Sequence, residues 1–164
     1  MNSLTLLLLR HAEADAAQSG LADIERPLTA RGRTEALDAA DCITAAELRI
    51  DAMLVSPALR ARETAIIVAA KLDITDDLRF EPALYLGTPD ELLPTVRRCS
   101  ADTHTVLMVG HNPGLSALAR KFMGGSQRVE LRPAGLCRVQ FEHTSWQQVR
   151  PEQPAPASGR NARR

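Results

Sequence analysis

Two histidines in this chain each follow a short apolar run, far apart in sequence. His11 comes after Leu4–Leu9 and Arg10, and His111 comes after Val106–Val109 and a glycine. A continuous apolar run of this length, bounded by polar and turn residues, predicts a strand buried on both faces. The carboxyl ends of parallel strands meet at one edge of a sheet, where ligands bind. We therefore expect both imidazoles to lie at the same site.

Positive groups are expected to accompany these histidines. Arg60 falls in the first turn of a predicted helix, and helical side chains lean towards the N-terminus, so it should point back over the sheet edge. A cation is mildly unfavourable at a helix start, which suggests that an anion compensates it. Guanidinium groups and helix N-termini both donate to phosphoryl oxygens. Arg10, His11, Arg60 and His111 together predict a site for a tetrahedral dianion.

The elements that must position these side chains alternate between strand and helix. Strands are predicted at Leu4–Leu9, Ala52–Val55, Leu78–Leu84, Val106–Val109 and Leu136–Phe141, with a further short one at Trp146–Val149. Helices are predicted from Thr29 to Leu48, from Ser56 to Leu72, from Thr88 onward, and from Asn112 to Met123. Ser56 and Asn112 are each followed by proline, the pattern of an N-cap and first helical residue. The pattern predicts a three-layer α/β/α sandwich with a mostly parallel sheet.

Composition limits the class of protein and its partners. The chain has 164 residues, of which 45% are hydrophobic and 24% charged, enough for one domain over residues 1–150. The stretch 151–164 is rich in Pro, Ala and Arg without periodicity and is predicted to be a disordered tail. Lys and Arg number 20, as do Asp and Glu, so no basic field favours nucleic acid or an anionic membrane. Aromatic residues make up only 3%, which argues against base stacking.

The spacing of the cysteines and the lengths of the apolar stretches suggest a cytoplasmic protein. The three cysteines Cys42, Cys99 and Cys137 are widely spaced and odd in number, which disfavours a disulfide framework or a zinc site. The run Leu4–Leu9 lacks a basic segment before it and is too short for a signal peptide. No stretch approaches the roughly 20 apolar residues that span a bilayer.

Four segments resemble one family, in the order in which that family carries them. Leu9-Arg10-His11-Ala12-Glu13 resembles the Arg-His-Gly signature of the histidine phosphatase superfamily. The segments 56–65 and 109–113 resemble its second and third motifs. Arg26-Pro27-Leu28-Thr29-Ala30-Arg31-Gly32 resembles a segment typical of the small phosphohistidine phosphatases called SixA. The resemblance extends from Leu4 to Trp146 and implies the phosphoglycerate mutase-like form of the α/β sandwich.

The resemblance implies a covalent mechanism without a metal or other cofactor. Neutral His11 attacks phosphorus and becomes phosphohistidine, which water then hydrolyses. Arg10, Arg60 and His111 hold the equatorial oxygens, where charge is spread in the transition state. Arg26 either reaches the phosphate or anchors its loop, and Asn112 either caps a helix or contacts the ligand.

Two departures from the family pattern affect the expected substrate. Ala12 replaces the usual glycine, as in the SixA-like branch. Ala83 stands about where other branches carry a glutamate general acid, and three nearby acids are out of register: Glu81, Asp90 and Glu91. An alkoxide leaving group needs a proton from such an acid, whereas imidazole needs less help.

The expected substrate is therefore phosphohistidine on a partner protein of phosphorelay or phosphotransfer type. Two alternatives stay open. One is a small-molecule phosphomonoesterase of the same superfamily, which would act on a small phosphorylated substrate. The other is a non-catalytic module that binds phosphoproteins.

Overall fold

The computed structural model describes residues 3–74, 78–125, 128–142 and 145–151. In these ranges the strands are β1 (Leu4–Arg10), β2 (Ala52–Val55), β3 (Leu78–Phe80), β4 (Thr105–Gly110) and β5 (Leu136–Phe141). The α-helices are α1 (Ala30–Ala45), α2 (Leu59–Lys71), α3 (Pro89–Arg97) and α4 (Gly114–Phe122). Short 3-10 helices occupy Asp23–Glu25, Pro82–Leu84 and Trp146–Gln148. The predicted tail lies, after Pro151, outside the described residues.

The five strands form one sheet in the order β3-β2-β4-β1-β5. Neighbours among β1 to β4 are parallel, and β5 runs antiparallel to β1 at the edge. This confirms the predicted mostly parallel sheet. In the central pair Arg10 lies opposite Gly110, so the residues that follow them leave the sheet at the same level. The sheet thereby places His11 and His111 side by side.

Apolar side chains cover both faces of the sheet. Alternate residues of β1 point in opposite directions: Leu6 and Leu8 pack in the cluster that includes α3 and α4. Leu7 and Leu9 pack in the cluster that includes α1 and α2. All four leucines are fully buried, and each burial contributes about 1.5–3 kcal/mol relative to exposure. The result is the three-layer sandwich, with a central strand beneath the site that is packed on both faces.

Two of the predicted helix starts are confirmed. Thr29 precedes α1, and its Oγ1 accepts a hydrogen bond from the Gly32 amide at 2.9 Å. Thr88 and Glu91 form a capping box at the start of α3. Such caps satisfy amide groups that would otherwise lack partners within the helix.

The other two predicted starts are wrong by a few residues. Helix α2 begins at Leu59 with Ala58 as its N-cap, so Ser56 and Pro57 lie before the helix. Helix α4 begins at Gly114 with Pro113 as its N-cap, and the Asn112–Pro113 peptide bond is cis. In both places the polar side chain before proline bonds to a partner from elsewhere in the fold. The helix therefore starts without it.

Two predicted strands also differ from the structure. The third strand ends at Phe80, not Leu84, because Pro82 cannot donate to a ladder and begins a 3-10 helix instead. The stretch predicted as a strand at Trp146–Val149 is a 3-10 helix, capped by the Ser145 hydroxyl. Among the described residues no helix is long and apolar enough to cross a membrane.

Candidate active site

His11 stands one residue beyond β1 with its ring fixed on one side. Its backbone amide donates to the Gly110 carbonyl at 3.0 Å, which continues the pairing of β1 with β4. Its Nδ1 lies 2.7 Å from the Ala12 carbonyl oxygen. Because a carbonyl only accepts, Nδ1 carries the proton in this arrangement, and the lone pair of the neutral ring is at Nε2. The Ala12 amide in turn donates to Oγ1 of Thr64 in α2 at 3.1 Å, which holds this turn in place.

Arg60 projects from the first turn of α2 onto the His11 ring, as the sequence predicts. Its side chain is only 2% exposed, although it carries a permanent charge. Its Nε lies 3.3 Å from His11 Nε2 and donates to it. The guanidinium therefore sits directly on the unprotonated nitrogen of the imidazole.

Asp23 occupies the other donors of this arginine and was not predicted as a site residue. Arg60 donates from Nη1 to the Asp23 carbonyl at 2.6 Å and from Nη2 to Asp23 Oδ2 at 2.9 Å. The Tyr85 hydroxyl donates to the same Oδ2 at 2.8 Å, and Arg26 Nε donates to Oδ1 at 2.9 Å. Hydrogen bonds from Tyr85, Arg60 and Arg26 lower the pKa of Asp23 below its usual range. The carboxylate is thus held ionised where an anionic ligand would meet Arg60.

His111 lies directly after β4 and is 4% exposed. Its Nε2 is 2.7 Å from Oγ of Ser56, and its Nδ1 is 3.5 Å from Arg60 Nη2. Its ring centroid is 4.9 Å from that of His11, and the Tyr85 ring meets it edge-on at 5.6 Å. The structure therefore brings together His11, Arg60 and His111, as predicted. The expectation that Ser56 caps a helix is corrected, since it bonds to the His111 imidazole.

Both imidazoles are held neutral. Burial lowers the pKa of His11 to about 4, with further lowering by the charges of Arg60, Arg10 and Arg26, against a smaller opposing effect of the Ala12 carbonyl. Burial lowers the pKa of His111 to about 3, assisted by His11 and Arg60. At neutral pH the positive charge of the cluster therefore resides on the guanidinium groups.

Arg10 and Asn112 share one backbone acceptor at the edge of this cluster. Arg10 Nη1 donates to the Leu131 carbonyl at 3.0 Å, and Asn112 Nδ2 donates to the same oxygen at 2.7 Å. Asn112 Oδ1 accepts from the Ser116 hydroxyl, so its side chain braces a loop and does not cap α4. The Nε of Arg10 is buried and has no hydrogen-bond partner among the described residues. A donor of this arginine is thus left for an added anion.

Arg26 anchors the loop that carries Asp23. Besides its bond to that carboxylate, its Nη1 donates to the backbone carbonyl of Asp15. Of the two roles considered from the sequence, these contacts correspond to the loop anchor.

The three acids considered as proton donors are engaged elsewhere. Glu81 pairs with Arg98 at 2.9 Å, and Asp90 pairs with Lys121 at 2.8 Å. Glu91 accepts from the amide and hydroxyl of Thr88 in the capping box of α3. In the described ranges no group of three His, Cys, Asp or Glu side chains could hold a metal ion.

Comparisons with known proteins point to one family. Residues 6–84 match the model of the histidine phosphatase superfamily (branch 1). An uncharacterized protein of Mycobacterium tuberculosis is 38% identical over 111 residues, which are 68% of this chain and 67% of that protein.

Solved structures show the same fold. A protein from Nakamurella multipartitia, provisionally assigned as the phosphohistidine phosphatase SixA, is 28% identical to this chain, with a TM-score of 0.76. The superposition covers 90% of this chain and 89% of that protein. The protein histidine phosphatase SixA complexed with tungstate shares the fold at 23% identity and a TM-score of 0.75, over 83% of this chain and 87% of its own. The family match and the likeness to the Nakamurella multipartitia protein support phosphatase activity. The chain belongs to the histidine phosphatase superfamily.

Proposed function

We propose that this protein hydrolyses phosphohistidine on a partner protein, and that His11 carries the phosphoryl group as a covalent intermediate. The observation that carries the proposal is the state of His11. The Nδ1 of His11 donates to the Ala12 carbonyl, its pKa is lowered to about 4, and its unprotonated Nε2 accepts from the buried Arg60. A neutral imidazole whose unprotonated nitrogen lies beside a guanidinium is suited to attack an anionic phosphoryl group once the guanidinium turns to that group.

In the first step His11 Nε2 forms a bond to phosphorus while the bond to the leaving group breaks. Arg60 turns its donors from Asp23 and the imidazole to the equatorial oxygens, and His111 donates from the ring nitrogen that faces the site. The unpartnered Nε of Arg10 supplies a further donor. Preorganised donors at the positions where negative charge spreads contribute the electrostatic part of such a rate enhancement.

The carboxylates around the site limit which leaving group the reaction can release. Glu81, Asp90 and Glu91 are bound to other partners, and Asp23 is held ionised by its hydrogen bonds, so none of these four carboxyls is placed to act as a general acid. An alkyl ester would have to leave as an alkoxide. A substrate phosphohistidine whose other ring nitrogen is protonated leaves as neutral imidazole, and no proton has to be delivered.

The second step restores the enzyme. Water attacks phosphorus, the bond from phosphorus to Nε2 breaks, and the electron pair returns to His11. The ring keeps its proton on Nδ1, and the two protons of water leave with dihydrogen phosphate. Charge and atoms balance in both steps without a cofactor.

Trapping the intermediate tests the covalent step. The protein is mixed with a phosphohistidine-bearing protein labelled at phosphorus and quenched in alkali, which preserves phosphohistidine. We expect label on the wild type and on His104→Ala, because His104 is exposed and outside the site, and none on His11→Ala. Absence of label on the wild type, with His11→Ala turning over normally, would refute the assignment of the nucleophile.

A panel of leaving groups tests the substrate class. We expect rapid turnover of phosphohistidine and of an aryl phosphate, whose leaving group needs no acid. Turnover of an alkyl phosphate should be slower by about a hundredfold or more, the contribution of a missing general acid. Equal rates with the alkyl phosphate would favour a small-molecule phosphomonoesterase. Binding of the phosphohistidine protein without any hydrolysis would favour a binding module.

A further inference from the structure

Ser56 contacts the one nitrogen of His111 that faces away from Arg60. Ser56 follows β2 and His111 follows β4, and the two strands are neighbours in the sheet. The Ser56 amide donates to the Val109 carbonyl at 2.9 Å, which fixes the backbone beside the imidazole. The serine is fully buried, and its Oγ lies 2.7 Å from His111 Nε2. A buried polar contact this short orients the ring strongly, since neither partner has water to replace it.

The direction of this hydrogen bond decides what His111 offers to a ligand. Nε2 is taken by Ser56, so Nδ1 is the nitrogen left towards the site, 3.5 Å from Arg60 Nη2. A neutral imidazole has one proton. It can donate from Nδ1 to a phosphoryl oxygen only if Nε2 is unprotonated and itself accepts a hydrogen bond.

We propose that Ser56 is a positioning residue that donates its hydroxyl proton to His111 Nε2 and so holds the ring in the tautomer with the proton on Nδ1. The inference rests on the phosphatase function proposed for this site. Ser56 Oγ accepts from the Ala58 amide at 3.3 Å, and an amide N–H cannot accept, so of these two partners of the buried hydroxyl only His111 Nε2 can take its proton. The serine thereby makes His111 a donor without requiring it to become charged.

An added oxyanion fits this tautomer. In this tautomer Nδ1–H and Arg60 Nη2 are both donors and face each other at 3.5 Å, so neither satisfies the other. A phosphoryl oxygen placed between them accepts from both. The lowered pKa of His111 supports a neutral ring in the resting state.

Nitrogen NMR reads the tautomer directly. The protein is labelled with ¹⁵N-histidine, the His111 signals are assigned by their loss in His111→Gln, and spectra are recorded with and without inorganic phosphate. With phosphate bound we expect a protonated, pyrrole-type Nδ1 and an unprotonated, pyridine-type Nε2. A protonated Nε2 in that complex, in the neutral ring or in the imidazolium, would overturn the proposal.

Variants connect the tautomer to turnover. In Ser56→Ala the His111 ring should no longer show a single tautomer, and kcat should fall about tenfold to a hundredfold. Losses of this size follow when the hydrogen-bond partner that orients a metal-binding histidine is removed. Ser56→Thr keeps the hydroxyl and should recover the tautomer and most of the activity. Thr95→Val removes another buried hydroxyl, one bonded within α3, and should change neither readout.

The wild-type spectrum keeps the proposal testable even if Ser56→Ala does not fold. An unchanged tautomer and kcat in a folded Ser56→Ala would refute the role of the serine. A protonated Nδ1 in a protein that forms no phosphoenzyme would support the tautomer while refuting the proposed function, so the two can fail separately.

Discussion

Acidification from pH 7 to pH 5 should destabilise this protein through its two active-site histidines. In the unfolded chain each histidine takes up a proton near pH 6.5, whereas in the fold the pKa of His11 is about 4 and that of His111 is about 3. The unfolded state therefore binds more protons throughout this interval. Stability must then fall as the pH falls, because protons favour the state that binds more of them.

The size of the effect follows from the two pKa values. A shift of one unit corresponds to about 1.4 kcal/mol. Between pH 7 and pH 5 each histidine becomes protonated in the unfolded chain, whereas in the fold it stays almost entirely neutral. The free energy of unfolding therefore falls by about 2 kcal/mol per residue. The pair together should remove about 4 kcal/mol, a large share of the 5–15 kcal/mol typical of a domain. Below pH 4 the contribution of His11 levels off.

Urea unfolding at a series of pH values measures this slope. The wild type should lose about 4 kcal/mol, and His11→Gln and His111→Gln about half as much each, whatever their stability at pH 7. The exposed His104→Gln serves as the control and should keep the wild-type slope. If the double variant His11→Gln/His111→Gln lost as much stability as the wild type between pH 7 and pH 5, the neutral state of the two rings would be refuted.

Three further substitutions have defined outcomes. Asp23→Asn removes the negative charge that competes for Arg60, so inorganic phosphate should bind severalfold more tightly in titration calorimetry; weaker binding would contradict this. In Gly32→Ala the added Cβ would overlap the Glu13 carbonyl oxygen, so the free energy of unfolding in urea should fall by about 1–3 kcal/mol, and unchanged stability would show that the loop yields freely. Trp146→Phe loses an indole hydrogen bond at the amino edge of the sheet; stability should fall by about 1–3 kcal/mol with kcat unchanged, and a lower kcat would place this residue in the site.

The sequence predicts the parts of the site that depend on local pattern. The apolar runs before Arg10 and His111 identify β1 and β4 because both strands are buried on two faces and carry no alternation. Thr29 and Thr88 predict the starts of α1 and α3 because their caps are made within a few residues of the chain.

The parts that were missed depend on contacts between distant residues. Ser56 and Asn112 have the right neighbours for helix caps, but His111 and the Leu131 carbonyl occupy their side chains once the strands are assembled. Asp23 is an ordinary loop acid in the sequence, and its main partner Arg60 lies 37 positions away. The only local signal for Asp23 is its spacing of three residues from Arg26, which pairs with it.

The separation of the two histidines has a consequence for how such a chain can diversify. Their ring centroids are 4.9 Å apart, close to the roughly 4.8 Å between neighbouring strands of any sheet. The distance is therefore set by backbone pairing of β1 with β4 and not by the segments that connect them. Insertions in the connecting loops can reshape the entrance, and with it the range of partners admitted, while the reacting geometry stays as it is.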